Sequence, residues 1–319
     1  MISLKDVEDA RKRISEIAHV TPILQSEQLS KLCGNQLFLK SEHLQKTGSF
    51  KIRGASNKVI QAIENGGKYV TAASSGNHGQ AVAYVANKYG VSATIVVPEN
   101  VSKCKINAIQ AYNGKIEMCG TTSAERLPRA QEIADQENGV FIPPYDDPLV
   151  MAGQGTVGLE ILDQVEQIDA IIVPIGGGGL ISGILTAIKE TNPKIKVIGV
   201  EPELANDTYL SLQNKEITAI GATTTIADGL RSNQPGDLTF PVMMKYLDDL
   251  VLVSEDEIRQ AFSFVMERTK QLIEPSSATT IAATMFNKIN MKDKNIVSVI
   301  SGGNVDLDKV HQMIVSATE

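Results

Sequence analysis

Tyr69-Val70-Thr71-Ala72-Ala73-Ser74-Ser75-Gly76-Asn77-His78-Gly79-Gln80 opens the unit of sequence that decides the fold. The apolar run Tyr69 to Ala73 passes through small polar residues into a helical pattern from His78 to Tyr89. A second apolar run, Ala93 to Val97, follows it. Strand, helix, strand in that order predicts a parallel pair joined by a right-handed crossover. The alternation continues with strands at Ile116 to Cys119 and Val140 to Pro143, and helices at Lys103 to Tyr112 and Ala124 to Gln136. Gly90 and Gly114 stand where helices end in a left-handed residue.

The turn-rich Pro143-Pro144-Tyr145-Asp146-Asp147-Pro148 separates this series from a second one. Its strands are Ala170 to Ile175, Val197 to Glu201, Leu250 to Val253 and Ile296 to Ile300. Its helices are Gly158 to Val165, Leu180 to Lys189, Glu255 to Lys270, Ala278 to Ile289 and Leu307 to Val315. Upstream, Ser3 caps a helix with Asp6 in its first turn and Val7, Ala10, Ile14 and Ile17 at helical spacing, ended by Thr21-Pro22. Gln36 to Lys40 reads as a further strand. The expectation is a two-lobed α/β chain, residues 66–148 forming the smaller lobe and 1–65 with 149–319 the larger, the N-terminal helix and strand packing on the latter.

Composition narrows the function. The chain has 319 residues, 42% apolar and 21% charged, which is ordinary globular usage with enough length for a large core. A net charge of -7 argues against nucleic acid or an anionic membrane as the main partner. No apolar run reaches spanning length, and the first residues lack a signal-peptide core. Cys33, Cys104 and Cys119 are scattered and odd in number, which suits a reducing, cytoplasmic location without disulfides. His19, His43, His78 and His311 are equally scattered, which argues against zinc.

Ligands of open α/β sheets bind beyond the carboxyl ends of strands, and five stretches stand there. Gln45-Lys46-Thr47-Gly48-Ser49-Phe50-Lys51-Ile52-Arg53-Gly54 places Lys51 at a helix start with no carboxylate in its first turn. Held at that positive end beside Lys46 and Arg53, Lys51 should deprotonate readily, as imine formation with an aldehyde requires. Ser74 to Gln80 combines backbone freedom, hydroxyls and an amide at a helix start, and reads equally as a cap. Gly176-Gly177-Gly178-Gly179-Leu180 exposes successive N–H groups at another helix start, which suits a phosphate. It is not a Walker A loop, and the dinucleotide fingerprint fails at Ile181 or Ser182. Glu201 stands about twenty residues on, where a ribose-binding acid would be, so a nicotinamide-dependent oxidoreductase competes. A silent ligand-binding regulator is a third class. Ser301-Gly302-Gly303-Asn304 could meet a ring nitrogen or cap the helix from Leu307. Glu201-Pro202-Glu203-Leu204-Ala205-Asn206-Asp207 carries oxygen ligands for a hard cation such as Mg²⁺, Mn²⁺ or Ca²⁺, or is a solvated acidic loop.

Together with Ala152-Gly153-Gln154-Gly155-Thr156 and Ile226-Ala227-Asp228-Gly229, these stretches resemble one family over nearly the whole chain. It is the pyridoxal-phosphate enzymes of the tryptophan-synthase-β fold type, in the branch of serine racemases and serine/threonine dehydratases. The resemblance implies that Lys51 carries the cofactor as an imine, with Phe50 and Asn77 against the ring and the Asn77 amide on its 3-hydroxyl. Gly176 to Gly179, with Leu180, would hold the phosphate, and Ser301 would face the pyridine nitrogen. A hydroxyl there makes a milder electron sink than a carboxylate, which suits brief carbanions that are reprotonated or lose a β-substituent.

Within the branch, Ser75 matches the racemases of the eukaryotic type, whereas threonine dehydratases often carry alanine. That implies two-base racemisation of serine, Lys51 and Ser75 acting on opposite faces, with elimination to pyruvate and ammonia alongside. Ser74, Ser75, Gly76 and Asn77 would bind the substrate carboxylate, and Arg126 would close the site. Glu201, the Ala205 carbonyl and Asp207 match the divalent-cation loop of serine racemases. Such enzymes are homodimers that bind ATP between subunits, in the region of Gln80 and Tyr112. Two positions depart from the vertebrate racemases: Tyr145 stands where they have asparagine, and Ser277-Ala278-Thr279-Thr280 replaces a run richer in glycine. A catabolic L-threonine/L-serine or 3-hydroxyaspartate dehydratase is therefore the nearest rival.

Overall fold

The computed structural model describes residues 1–314 and, apart from the Ser123 side chain, their packing. Its strands are β1 (Ile23–Gln25), β2 (Gln36–Ser41), β3 (Tyr69–Ala73), β4 (Ser92–Val97), β5 (Lys115–Met118), β6 (Val140–Phe141), β7 (Ala170–Pro174), β8 (Lys196–Pro202), β9 (Asp249–Val253) and β10 (Asn295–Ile300). The α-helices are α1 (Leu4–Ile14), α2 (Glu27–Cys33), α3 (Lys51–Glu64), α4 (Asn77–Lys88), α5 (Lys103–Gln110), α6 (Ser123–Gln136) and α7 (Pro148–Gln164). They continue with α8 (Gly179–Thr191), α9 (Asp207–Asn214), α10 (Thr239–Tyr246), α11 (Glu255–Phe264), α12 (Pro275–Met285) and α13 (Val310–Met313).

Two sheets result. One has six strands in the order β1-β2-β10-β7-β8-β9, the other four in the order β5-β4-β3-β6. Every pairing is parallel except β1 with β2. Parallel strands sandwiched between helices read as continuous apolar runs, and Ala170 to Pro174 is buried at every residue. Apolar clusters fill both faces of the larger sheet and a third serves the smaller one. The fold is that expected, an α/β chain of parallel sheets flanked by helices. As expected too, α1 opens with a capping box of Ser3 and Asp6; it packs on α7 and α8.

Several boundaries are corrected. α7 starts at Pro148, ten residues before the predicted Gly158, with Asp147 accepting from the Leu149 and Val150 N–H groups. Its glycines imitate a loop in sequence but are contact points. A Cβ on Gly153 would lie 2.6 Å from the Gly54 Cα, and one on Gly155 2.7 Å from the Gly183 carbonyl oxygen. The residue that ends α5 in the left-handed region is Asn113, at φ 58, not Gly114; a Cβ on Gly114 would meet Ile109 and Ala83. α1 stops at Ile14, short of Thr21-Pro22. The predicted helix Glu255 to Lys270 is α11 followed by a π-helical turn, Val265–Thr269. α12 begins at Pro275, not Ala278, and ends at Met285. The helix expected over Leu307 to Val315 is a 3₁₀ turn, Leu307–Lys309, and α13, its predicted end at Val315 lying outside the described residues. β1, α2, α9 and α10 were not foreseen.

Candidate active site

Four helices begin at one place. The N-termini of α3, α4, α8 and α12 contribute Phe50 and Lys51, Gly76 and Asn77, Gly178 and Gly179, and Glu274 and Ser276 to one cavity of about 380 Å³. In none of these four helices does the side chain of the N-cap residue cap the first turn; the Gln154 Oε1 accepts from the Gly54 N–H of α3 at 3.1 Å. Their orphan N–H groups and dipoles therefore converge on a site suited to anions. Strand ends supply the rest: β3 leads to Ser74 and Ser75, β7 to Gly176 and β10 to Ser301.

Lys51 is half-buried with its open surface toward the cavity. Its Nζ donates to the Pro144 carbonyl oxygen at 2.7 Å and lies 5.2 Å from the centre of the Phe50 ring. Loss of water pushes its pKa down to about 8, against a weaker opposing pull from the Glu274 carboxylate. This corrects the sequence-based cause. Lys46 sits over the Tyr84 ring. Arg53, 1% exposed, turns away into a buried cluster with Glu42 and Glu160. The predicted ease of deprotonation stands, but burial produces it.

Asn77 is fixed at both ends of its amide. Its Nδ2 donates to the Glu274 Oε2 at 3.0 Å, and its Oδ1 accepts from the Asn304 Nδ2 at 2.8 Å. Glu274, 4% exposed, is pushed up to about 7 by burial, against the Asn77 hydrogen bond that lowers it. No role was assigned to Glu274 from sequence, although Glu-Pro before an apolar helix marks a helix start. His78 is neutral: its Nε2 meets the Ile142 carbonyl oxygen at 2.8 Å, and burial with the nearby Lys51 charge pushes it down to about 3.

The glycine loop has no room for side chains. A Cβ on Gly177 would lie 2.4 Å from the Tyr145 ring, and one on Gly178, which has φ +88, would lie 2.7 Å from the Thr239 Oγ1. Ser301 is buried, its Oγ 3.1 Å from the Ser277 Oγ. The Ser277 hydroxyl donates to the Gly302 carbonyl oxygen at 2.7 Å, which leaves the Ser301 proton free to be redirected toward a ring nitrogen.

The cavity thus brings together Phe50, Lys51, Ser74, Ser75, Gly76, Asn77, Gln80, Arg126, Gly176 to Leu180 and Ser301. Tyr112 is not among them. Its ring stands edge-on to Tyr84 at 5.2 Å, one helical turn along α4 from Gln80. Asp228, Asp306, Lys105 and Tyr145 also line the cavity without having been given roles. These residues fit a phosphorylated pyridine aldehyde, with an amine of lowered pKa, a bare glycine cradle and polar partners for a ring.

Glu201 and Asp207 lie outside the cavity, at the end of β8. The Glu201 carboxylate accepts from the Thr208 N–H at 3.0 Å and the Tyr209 N–H at 2.8 Å, and the side chain is fully buried, out of reach of a ribose in the cavity. Both Asp207 oxygens are buried with no hydrogen-bond partner on another residue. Burial and then the Asp207 charge push Glu201 up to about 8; burial pushes Asp207 up to about 7. No group of three or more His, Cys, Asp or Glu able to hold a metal occurs among the described residues. The Glu201 and Asp207 side chains are both fully buried, and carboxylate oxygens are the donor type that hard cations take.

Residues 14–302 match the model of a family described as pyridoxal-phosphate dependent enzymes. The chain is 44% identical to a serine racemase of Dictyostelium discoideum, covering 98% of both chains. It is 41% identical to an L-threonine ammonia-lyase of Thermotoga maritima, covering 98% of this chain and 78% of that one. The structure of maize serine racemase superposes with a TM-score of 0.94 at 38% identity, covering 98% of this chain and 96% of that one. These matches displace the nicotinamide reading. The chain belongs to the pyridoxal-phosphate dependent enzymes of the tryptophan-synthase-β fold type, in the group of serine racemases and threonine dehydratases.

Proposed function

We propose that this enzyme interconverts L- and D-serine and, at the same site, eliminates water from serine to give pyruvate and ammonia. The observation that carries the reading is that the Lys51 amine and the Ser75 hydroxyl line one cavity. A single group that removes a Cα proton and returns it to the same face restores the starting enantiomer. Two groups acting on opposite faces of the Cα permit inversion, and Lys51 and Ser75 would be those groups.

Pyridoxal phosphate, when bound, supplies the electron sink that acidifies the substrate Cα–H bond. Lys51 would attach it, Gly176 to Gly179 with Leu180 would take its phosphate, and Phe50, Asn77 and Ser301 would take its ring. The Lys51 amine, at about 8, is poised near neutral pH to take the Cα proton on one face. Ser75 gives or takes the proton on the other face. Ser74, Gly76 and Asn77 present donors at the start of α4 to the substrate carboxylate, and Arg126 adds positive charge on the cavity wall. Asn77–Glu274, Ser102–Asp306 and Lys105–Asp228 contacts span the cleft between residues 66–148 and the remainder. In this reading those segments are the smaller and larger lobes, and these bonds govern access. A divalent cation, Mg²⁺, Mn²⁺ or Ca²⁺, would sit on Glu201, Asp207 and the Ala205 carbonyl and neutralise their charge. A homodimer with ATP at Gln80 and Tyr112 rests on the family resemblance, and a cytoplasmic location on the free thiols Cys33, Cys104 and Cys119.

Incubating pure protein with L-serine, and assaying D-serine beside pyruvate, tests the reading. D-serine is expected together with pyruvate; pyruvate alone contradicts racemisation. The second reading, an L-threonine/L-serine or 3-hydroxyaspartate dehydratase, is favoured by the 41% identity to an L-threonine ammonia-lyase and takes that outcome.

A further inference from the structure

The turn Pro144-Tyr145-Asp146-Asp147 touches both Lys51 and the glycine loop without having been given a role there. The Pro144 carbonyl oxygen holds Lys51 at 2.7 Å. The Tyr145 ring covers Gly177, and its Cβ and backbone lie against Gly179. Asp146 reaches away from the cavity to the start of α10, where its carboxylate accepts from the N–H groups of Asp237 at 3.1 Å, Leu238 at 2.8 Å and Thr239 at 3.3 Å. α10 has no side-chain cap from its own segment, so Asp146 serves as its cap from a distant part of the chain. The approach is close. A Cβ on Gly236 would lie 2.2 Å from the Asp146 Oδ1.

The first residue of α10 then acts on the glycine loop. Thr239 is fully buried. Its Oγ1 accepts from the Gly236 N–H at 3.0 Å and donates to the Gly177 carbonyl oxygen at 2.8 Å. In a trans peptide the C=O and the following N–H point in opposite directions. Holding the Gly177 C=O on Thr239 therefore turns the Gly178 N–H away from α10, in the loop read above as the phosphate cradle. Gly178 is left-handed at φ +88, a conformation that a glycine peptide leaves easily unless something fixes it. Neither Asp146 nor Thr239 lines the cavity.

We propose that Asp146 and Thr239 are positioning residues for the phosphate end of the cofactor. Asp146 fixes the start of α10, and Thr239 fixes the Gly177–Gly178 peptide that presents its N–H to the phosphate. The proposal rests on the reading of Gly176 to Gly179 as the phosphate cradle.

The test compares pyridoxal 5′-phosphate with pyridoxal, which has the same ring and aldehyde and no phosphate. Cofactor-free wild type, Asp146→Ala, Asp146→Asn, Thr239→Val and Thr239→Ser are titrated with each, folding being checked by circular dichroism and thermal melting. Asp146→Ala and Thr239→Val should bind pyridoxal 5′-phosphate about tenfold or more weakly, equivalent to at least ~1.4 kcal/mol, with pyridoxal affinity nearly unchanged. Asp146→Asn and Thr239→Ser keep an acceptor and a hydroxyl, and should recover most of the loss. Equal loss toward both ligands, or no loss in folded variants, overturns the proposal. Should Asp146→Ala fail to fold, Thr239→Val against Thr239→Ser decides the matter. A wild type that binds pyridoxal as tightly as pyridoxal 5′-phosphate contradicts the cradle itself, and the proposal with it.

Discussion

Glu160→Gln removes one charge from the buried cluster that holds the first turn of α3, two residues beyond Lys51. Arg53 Nη1 lies 2.6 Å from the Glu160 Oε1, and Lys40 Nζ 2.6 Å from the Glu160 Oε2. Arg53 Nε lies 2.7 Å from the Glu42 Oε2, closing a set of two cations and two anions. Lys40, Glu42 and Arg53 are at most 1% exposed, and Glu160 5%. The substitution leaves two buried cations against one carboxylate. Breaking a buried pair from one side costs about 3–5 kcal/mol, most of it the stranded charge. At ~2 °C per kcal/mol for a long chain, melting should fall by about 6–10 °C.

Urea unfolding at fixed cofactor concentration measures the loss. Adding Lys40→Met removes the surplus cation and should return at least about 1 kcal/mol, as expected for coupled neighbours. Pyridoxal phosphate held as an imine on Lys51 would absorb in the visible, and that borohydride-sensitive band should also weaken in the single variant, because Arg53 anchors the turn that carries Lys51. A loss below about 1 kcal/mol, typical of an exposed pair, refutes the view that this cluster fixes α3.

The cofactor-free protein should take up pyridoxal phosphate faster as pH rises and level off above about 8, where Lys51 becomes neutral. Stopped-flow absorbance reads this, and a rise continuing to the ordinary lysine range contradicts the shift. Because the Lys51 pKa is lowered on folding, its destabilising contribution is full below about 8 and is relieved as pH rises from there toward 10.5. The Glu201–Asp207 pair has the opposite sign. Its pKa values are raised from 4.5 to about 8 and from 3.8 to about 7, so the cation-free protein loses stability as pH climbs from the ordinary carboxylate values, and the loss is complete above about 8. Mg²⁺ should therefore raise the melting temperature more at pH about 8 than at pH about 6. No change on chelation and readdition makes the two acids ordinary buried carboxylates.

The parallel sheets were legible because β3, β7, β8 and β10 are apolar runs set between helical patterns, and a strand buried on both faces has no other signature. The glycine loop that follows β7 into the cavity was legible in four successive glycines. α7 was misjudged because close helix contact and loop freedom both select glycine. The cause of the Lys51 shift could not be read, since neighbours in sequence such as Arg53 point elsewhere, and distant Pro144 and Glu274 surround the amine. Glu274 and Asp146 act across 197 and 91 to 93 residues of chain, on Asn77 and on α10, separations that local patterning does not encode.

Ser75→Ala tests the central claim most directly, with D-serine and pyruvate measured in the same reaction from L-serine. Loss of a general acid or base costs about 10²–10⁴-fold, so D-serine formation should fall by at least about a hundredfold. Pyruvate formation should be partly retained, because Lys51 still removes the proton from L-serine. Equal loss of both products, or D-serine formed at the wild-type rate, would contradict the assignment of Ser75 as the second proton carrier.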